Sequence, residues 1–261
     1  MLEDRRPAAN FFAASGRGME WHDEGFIIGV RKHGESSVIL EAMTSAHGRH
    51  LGLVKGGRSR RMQAMLQPGN GGSLTWRARL DEHLGLYAVE ATDLRAARLM
   101  ADAAALHGLN LLSGLLRLLA EREPHAGLYR AAVLIADHLD DREAAPAALA
   151  RFELAMLTEL GFGLDLSCCA ATGERENLIY VSPKSGRAVS AAAGEPYRDR
   201  LLALPAFLRG ETADLEPSGA DIMDAFALAA FFLARDVFGP RGLQLPDAHM
   251  AYIAAVKKAA R

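Results

Sequence analysis

The sequence predicts an α+β protein in two parts, a small barrel of five β-strands followed by a bundle of helices. Three observations carry this prediction. Between about residues 25 and 92, short segments rich in Val, Ile, Leu and aromatic side chains are separated by glycine-containing turns. After Asp93 the apolar residues recur at helical spacing. From about residue 167 to 196, a segment rich in glycine, proline and serine interrupts the helices.

Length and composition are those of a globular protein. The chain has 261 residues, 50% of them hydrophobic and 24% charged. Its longest apolar run, residues 225–234, is about half of what a bilayer-crossing helix needs, so we expect no membrane association. Residues 1–18 lack periodicity and the apolar core of a secretory signal, which predicts a disordered leader. Cys168 and Cys169 are adjacent and cannot form a disulfide framework, so we expect a cytoplasmic protein.

The first part of the chain predicts five strands of six to eight residues. They cover residues 25–30, 37–43, 50–55, 73–79 and 84–91. Five short strands in about 70 residues match the oligonucleotide/oligosaccharide-binding (OB) barrel in size and strand number. We therefore assign residues 19–94 to an OB-fold nucleic-acid-binding domain.

The second part, residues 95–261, predicts a helical domain. Its helices are expected at residues 95–123, 128–139, 147–160, 197–208, 221–238 and 246–258. Pro146 suits the first turn of the third helix, and Gly161 suits its end. The segment at about 167–196 is expected to be a small irregular insert.

Catalytic motifs do not support an enzyme. The sequence has no phosphate-binding G-x-x-x-x-G-K-[ST] loop and no G-x-G-x-x-G between a strand and a helix. It also lacks the G-x-S-x-G elbow of serine hydrolases and the H-E-x-x-H helix of zinc proteases. We expect no catalytic residue and no cofactor.

The two cysteines allow three interpretations. A nucleophilic cysteine needs a base that holds it as thiolate, and no histidine lies within 25 residues of the pair. A zinc site needs four ligands. Cys169 and Thr172 have C-x-x-C spacing with threonine in the second place, and Ser190 and Ala193 stand where a second pair belongs. We expect a zinc-knuckle-like insert without metal, its cysteines packed as small buried side chains.

The charge is distributed unevenly. The net charge is only −2, yet residues 42–80 contain no Asp or Glu. This window carries seven cations, and the rest of the chain holds 23 basic and 32 acidic residues. The seven are Arg49, Lys55, Arg58, Arg60, Arg61, Arg77 and Arg79. One basic region on an acidic molecule indicates a polyanion partner.

The basic residues suit a nucleic-acid backbone. Residues 55–61 predict a flexible loop with four cations, whose glycines allow close approach to phosphate and whose arginines offer bidentate forks. Arg77 and Arg79 alternate onto one face of a strand, with Trp76 on the other. We predict that all seven cations bind DNA, with aromatic side chains available for base stacking. The alternative is a merely solvated basic surface.

Two sets of residues, one in each part of the chain, resemble a known protein family. Residues 25–31, 35–40, Thr44, 48–49, 55–58 and 66–68 resemble the N-terminal OB domain of RecO, a bacterial recombination-mediator and DNA repair family. Residues 151–154, Leu157, 160–166, Cys169 and Gly173 are similar to its central signature, and residues 182–186 to its knuckle. The resemblance covers about residues 20–258.

The resemblance implies a non-enzymatic mediator of repair and recombination. Such proteins bind single- and double-stranded DNA, anneal complementary strands without ATP and work with RecR in the RecFOR pathway. They also bind the acidic, apolar-ended C-terminal tail of single-stranded-DNA-binding protein and help load the recombinase. Some members carry a four-cysteine zinc knuckle, from which this sequence departs.

The predicted location is the bacterial cytoplasm, at the nucleoid.

As the residue that binds the C-terminal tail of single-stranded-DNA-binding protein we select Arg151, beside Phe152 on a helix. An acidic tail needs a cation next to an apolar groove. Arg151 could instead be a solvated or carboxylate-paired arginine. A generic OB-fold RNA-binding or translation-associated protein remains the alternative function.

Overall fold

The N-terminal part is a closed barrel of five strands in the computed structural model, which describes residues 18–209 and 216–259. The strands are β1 (Met19–His33), β2 (Ser37–Thr44), β3 (Gly48–Val54), β4 (Gly71–Ala78) and β5 (Leu86–Asp93). They neighbour one another in the order β1-β2-β3-β5-β4, and β4 closes on β1. All pairs are antiparallel except β3 with β5. The mixed α+β class and the number of strands are confirmed.

The central residues of β1 are buried on both faces of the strand. Ile27 lies in the barrel interior with Leu74 and Trp76, whereas Phe26 and Ile28 point outward into the core of the helices. Neighbouring strand residues face opposite sides, so consecutive apolar residues are required where both sides are covered. The outward face of β1 and the helices therefore share a hydrophobic core, which is separate from the core inside the barrel.

Eight helices lie in the described part of the chain. They are α1 (Arg60–Met65), α2 (Ala96–Leu99), α3 (Ala103–Leu116), α4 (Ala126–Asp137), α5 (Ala144–Glu159), α6 (Ala191–Gly194), α7 (Gly219–Phe232) and α8 (Asp247–Ala259). Six residues of π-helix, Leu233–Phe238, continue α7. None of these helices is long and apolar enough to cross a membrane.

The single helix predicted at residues 95–123 is wrong. The chain breaks after α2, and Asp102 then caps α3 by accepting hydrogen bonds from the N–H groups of Ala104 and Ala105 at 2.7 and 3.0 Å. An aspartate in this position offers the chain a new helix start. Periodicity alone did not detect this interruption, because the apolar spacing runs on through it.

The insert is more ordered than predicted. A three-stranded sheet, β6 (Leu178–Val181), β7 (Ala188–Ser190) and β8 (Leu202–Ala203), has the order β7-β6-β8. The helix predicted at residues 197–208 is therefore wrong, since β8 pairs there with β6. Pro196 and Pro205 lack the N–H groups that a continuous helix would use. The leader predicted at 1–18 lies, except for Gly18, outside the described residues.

Candidate nucleic-acid interface

The basic loop, as we call residues 55–61, is a tight turn that leads into a short helix. Gly56 has φ of +68°, a left-handed conformation that glycine adopts without steric cost. The Ser59 N–H donates to the Gly56 carbonyl at 3.0 Å, and the Ser59 hydroxyl caps α1. Arg60 and Arg61 therefore stand on the first turn of a helix, which corrects the prediction of an entirely flexible loop.

The turn between β1 and β2 packs against the basic loop. The backbone N–H and the guanidinium of Arg58 each donate to a carbonyl of that turn, both at 3.0 Å. The end of β1 carries two further exposed cations, Arg31 and Lys32, at the same end of the barrel. They fall outside the acid-free window, because Glu35 and Glu41 separate them from it.

Three cations of the basic loop are exposed and unpaired. Within residues 18–209 and 216–259, Lys55, Arg60 and Arg61 make neither an ion pair nor a side-chain hydrogen bond. Their charges face solvent without a carboxylate to neutralise them. Such cations bind a phosphate without first breaking an internal contact.

The two cations of β4 lie differently. Arg77 is exposed on the strand and donates to Glu20 on β1 at 2.8 Å. This hydrogen bond raises the pKa of Arg77, but an exposed pair contributes little and a competing phosphate can displace it. Arg79 is exposed beyond the end of β4, so the two do not share a strand face as predicted.

Arg49 lies apart from the other six cations. Its side chain is only 16% exposed and contacts Glu41 at 2.7 Å and Glu121 at 3.5 Å. It also donates to the Leu119 carbonyl at 2.9 Å. Arg117 of the segment after α3 donates to the same Glu41 at 2.8 Å. Arg49 thus belongs to an ion-pair network that joins the barrel to the helices, and its DNA-binding role stays a prediction.

The aromatic side chains lie mainly inside the barrel. Trp76 is fully buried, as the predicted opposite face requires, and its indole N–H donates to the Leu84 carbonyl at 3.0 Å. It is therefore unavailable for base stacking. Trp21 stacks on it, with 5.7 Å between ring centroids, and His47 stacks on Trp21 at 4.1 Å. The His47 side chain, held by Asp23 at 3.0 Å, is 33% exposed.

Burial changes the ionisation of the histidine next to this stack. His50 is buried among the rings of Trp21, Trp76 and Tyr87. Removal from water disfavours the charged imidazolium, and this lowers the pKa of His50 to about 4. His50 is therefore neutral at pH 7 and adds no charge to the interface.

Arg151, predicted to bind a partner's tail, is exposed on α5. Its guanidinium lies over the ring of Phe207, 5.0 Å from the centroid, and donates to the Phe207 carbonyl at 3.2 Å. The structure thus sets this cation beside an aromatic side chain. The contact orients the guanidinium while part of it still faces solvent.

The insert brings three of the residues with zinc-knuckle spacing together. The Cys169 sulfur is buried and accepts a hydrogen bond from the Ser190 N–H at 3.3 Å. Burial opposes ionisation of this thiol, but hydrogen bonds from Ser190 and Thr172 outweigh it and lower its pKa to about 6. Within the described ranges, no three His, Cys, Asp or Glu side chains cluster as metal ligands.

These observations define a class of protein. A closed barrel with an exposed cationic end, joined to a helical domain by a shared core, is a two-part α+β protein with a surface suited to a polyanion. Family models match both parts. They are Recombination protein O N terminal, over residues 19–95, and Recombination protein O C terminal, over residues 101–243.

Whole proteins match as well. The chain is 64% identical over 240 residues to the DNA repair protein RecO of Methylocella silvestris, which covers 92% of this chain and 97% of that protein. It is 60% identical over 240 residues to the DNA repair protein RecO of Chelativorans sp. strain BNC1, with 92% and 96% covered. The chain belongs to the RecO family of DNA repair proteins. The resemblance stated from the sequence is confirmed.

Proposed function

We propose that this chain is a recombination mediator that binds single- and double-stranded DNA through the basic loop. In this proposal it anneals complementary strands without ATP and helps load recombinase onto DNA coated with single-stranded-DNA-binding protein. The observation that carries the proposal is the set of exposed, unpaired cations Lys55, Arg60 and Arg61. They lie on a chain that is acidic elsewhere.

Annealing of this kind needs no covalent step, and we propose that the protein is not an enzyme. Two DNA strands repel each other through their phosphates, and the free energy of base pairing is available only after that repulsion is reduced. Cations that contact phosphates reduce it without regard to sequence. Arg58 adds a fourth cation to the basic loop, and Arg77 and Arg79 extend the cationic surface beyond it. We leave Arg49 out of the proposed DNA-binding surface, because the ion-pair network between the barrel and the helices already holds its guanidinium.

We extend the proposal to two protein partners. RecR is one, and the acidic C-terminal tail of single-stranded-DNA-binding protein is the other. Arg151 supports the second, because a cation lying over an aromatic ring offers both charge and apolar contact to an acidic tail that ends in an apolar residue. The place of action in this proposal is nucleoid DNA in the bacterial cytoplasm.

The test is the salt dependence of DNA binding. Replacing Arg58, Arg60 and Arg61 together with alanine removes up to three cations from the phosphate-binding surface. The slope of log K against log salt should then fall by about one unit for each cation that bound a phosphate. The control replaces Arg130, Arg175 and Arg200, which are exposed outside the barrel, with alanine and so removes the same net charge. Equal slopes in the two triple variants would reject the basic loop as the DNA site.

Strand annealing tests the mediator role. Complementary oligonucleotides coated with single-stranded-DNA-binding protein are mixed with the purified chain without nucleotide. Annealing that requires the coating protein's C-terminal tail, and that weakens in Arg151→Ala, supports the proposal. Tight DNA binding without annealing contradicts it. Preference for structured RNA over single-stranded DNA at equal salt would favour the RNA-binding alternative.

A further inference from the structure

An open cavity interrupts the wall of the barrel where β3 and β5 meet. Their pairing is limited to Leu53 opposite Leu86, with the Leu53 N–H donating to the Gly85 carbonyl at 3.0 Å. Beside this short seam lies a cavity of about 340 Å³, bordered by Leu53, Leu86, Val89 and, from α1, Met62. Ligand pockets begin at about this size. The cavity therefore has room for a small flat group.

The cavity is apolar inside and positive at its rim. Lys55 of the basic loop and Arg77 of β4 both line it, and none of the residues lining it is Asp or Glu. Leu86 is 39% exposed at the seam. An exposed leucine that pairs with Arg77 across the sheet adds little to folding, but it suits a ligand that has an apolar part and an anionic part.

We propose that this cavity receives one unstacked base of single-stranded DNA, whose neighbouring phosphates contact Lys55 and Arg77. This inference rests on the proposed function and deepens it, because it adds a base-binding site to a phosphate-binding surface. A nucleotide combines a flat, largely apolar base with an anionic phosphate. The base enters between the strands, and the backbone stays at the cationic rim.

Continuity with the basic loop favours DNA over an acidic peptide as the occupant. Lys55 begins the loop and Met62 follows directly on Arg60 and Arg61, so these two arginines lie in the chain between two residues that line the cavity. A row of cations of this length matches a regularly charged backbone. Bases in a duplex are paired and stacked, and they cannot enter. The site therefore distinguishes single strands from duplexes.

The test blocks the cavity without altering charge. Ala88 is an exposed residue of β5 that lines the cavity, so Ala88→Leu fills its entrance. The matched control is Ala64→Leu, the same change on an exposed position of α1 outside the cavity. Affinity is measured at equal salt for a short oligothymidylate and for a hairpin duplex. A parallel oligonucleotide carries one 2-aminopurine, whose fluorescence reports unstacking of that base.

We expect Ala88→Leu to weaken oligothymidylate binding about tenfold, the range of one base-stacking contact, and to leave the duplex within about twofold. The unmodified chain and Ala64→Leu should both give the 2-aminopurine signal, and Ala88→Leu should not. Equal binding of the single strand by Ala88→Leu and Ala64→Leu overturns the inference while the proposed function stands. The inference is also overturned, and the proposed function stands, if Ala88→Leu weakens only the binding of an acidic, apolar-ended peptide. If the unmodified chain binds neither the oligothymidylate nor the hairpin duplex, both the inference and the proposed function are overturned.

Discussion

The arginines near the two ends of β3 differ in their ion pairing. At its start, the Arg49 guanidinium is held by Glu41 and Glu121 and ties the barrel to the helices. Beyond its end, Arg60 and Arg61 make no ion pair with any described residue. The sequence between these sites is uniformly free of acids. The role of a cation therefore depends on whether a carboxylate from elsewhere in the chain reaches it in the fold.

Removal of the carboxylate at the junction should have the largest effect on stability. Glu41→Ala leaves Arg49 and Arg117 without their shared partner in a mostly buried position. Breaking a buried pair this way costs about 3 kcal/mol of unfolding free energy, measured in urea. Glu35→Ala, an exposed change in the turn between β1 and β2, is the control. A decrease below about 1 kcal/mol in Glu41→Ala would erase the contrast between the two ends.

Acid should destabilise the barrel through His50, which lies next to Arg49 but faces the interior. Its pKa is about 4 in the fold and about 6.5 when unfolded. Because the unfolded chain binds the proton more tightly, this stability is fully present above about pH 6.5. It is lost as pH falls toward 4, by up to about 3 kcal/mol. Urea unfolding at several pH values should show this dependence, and His50→Gln should reduce it.

The glycines that flank β3 allow a matched comparison of its ends. Both Gly48 and Gly56 have left-handed φ angles, +65° and +68°. A Cβ on Gly48 would lie 1.9 Å from the Glu123 carbonyl oxygen, whereas a Cβ on Gly56 meets nothing within 4 Å. Gly56→Ala should cost about 1 kcal/mol, the left-handed penalty alone. Gly48→Ala should cost about 2 kcal/mol or more, since backbone must also move. Equal midpoints in urea would contradict this.

The smallest effect on stability is expected at the exposed end. Arg60→Ala and Arg61→Ala should each change the unfolding free energy by less than about 0.5 kcal/mol. Each should nevertheless lower the salt slope of DNA binding by about one unit. Urea unfolding and binding isotherms on the same preparations separate these outcomes. A large drop in stability with an unchanged slope would assign these arginines to the fold.

Local signals in the sequence were sufficient for much of the barrel and of its cationic end. The short segments rich in Val, Ile, Leu and aromatic residues located all five strands, and the acid-free window located Lys55, Arg60 and Arg61. Arg49 could not be separated from them, because its partners Glu41 and Glu121 lie outside the acid-free window and only the fold brings them to it. The helix predicted at residues 197–208 failed for a similar reason. Its central residues pair with β6, about 20 positions earlier, and only tertiary contacts reveal that pairing.

The core shared by β1 and the helices has a consequence for folding. If the chain were cut near residue 95, Phe26, Ile28 and Met43 would lose the helical side chains that cover them. An isolated barrel would then expose three large apolar groups to water and tend to aggregate. We therefore expect the two parts to unfold as one cooperative unit in a single transition. Amide hydrogens of β1 should exchange as slowly as those of the helices that cover it.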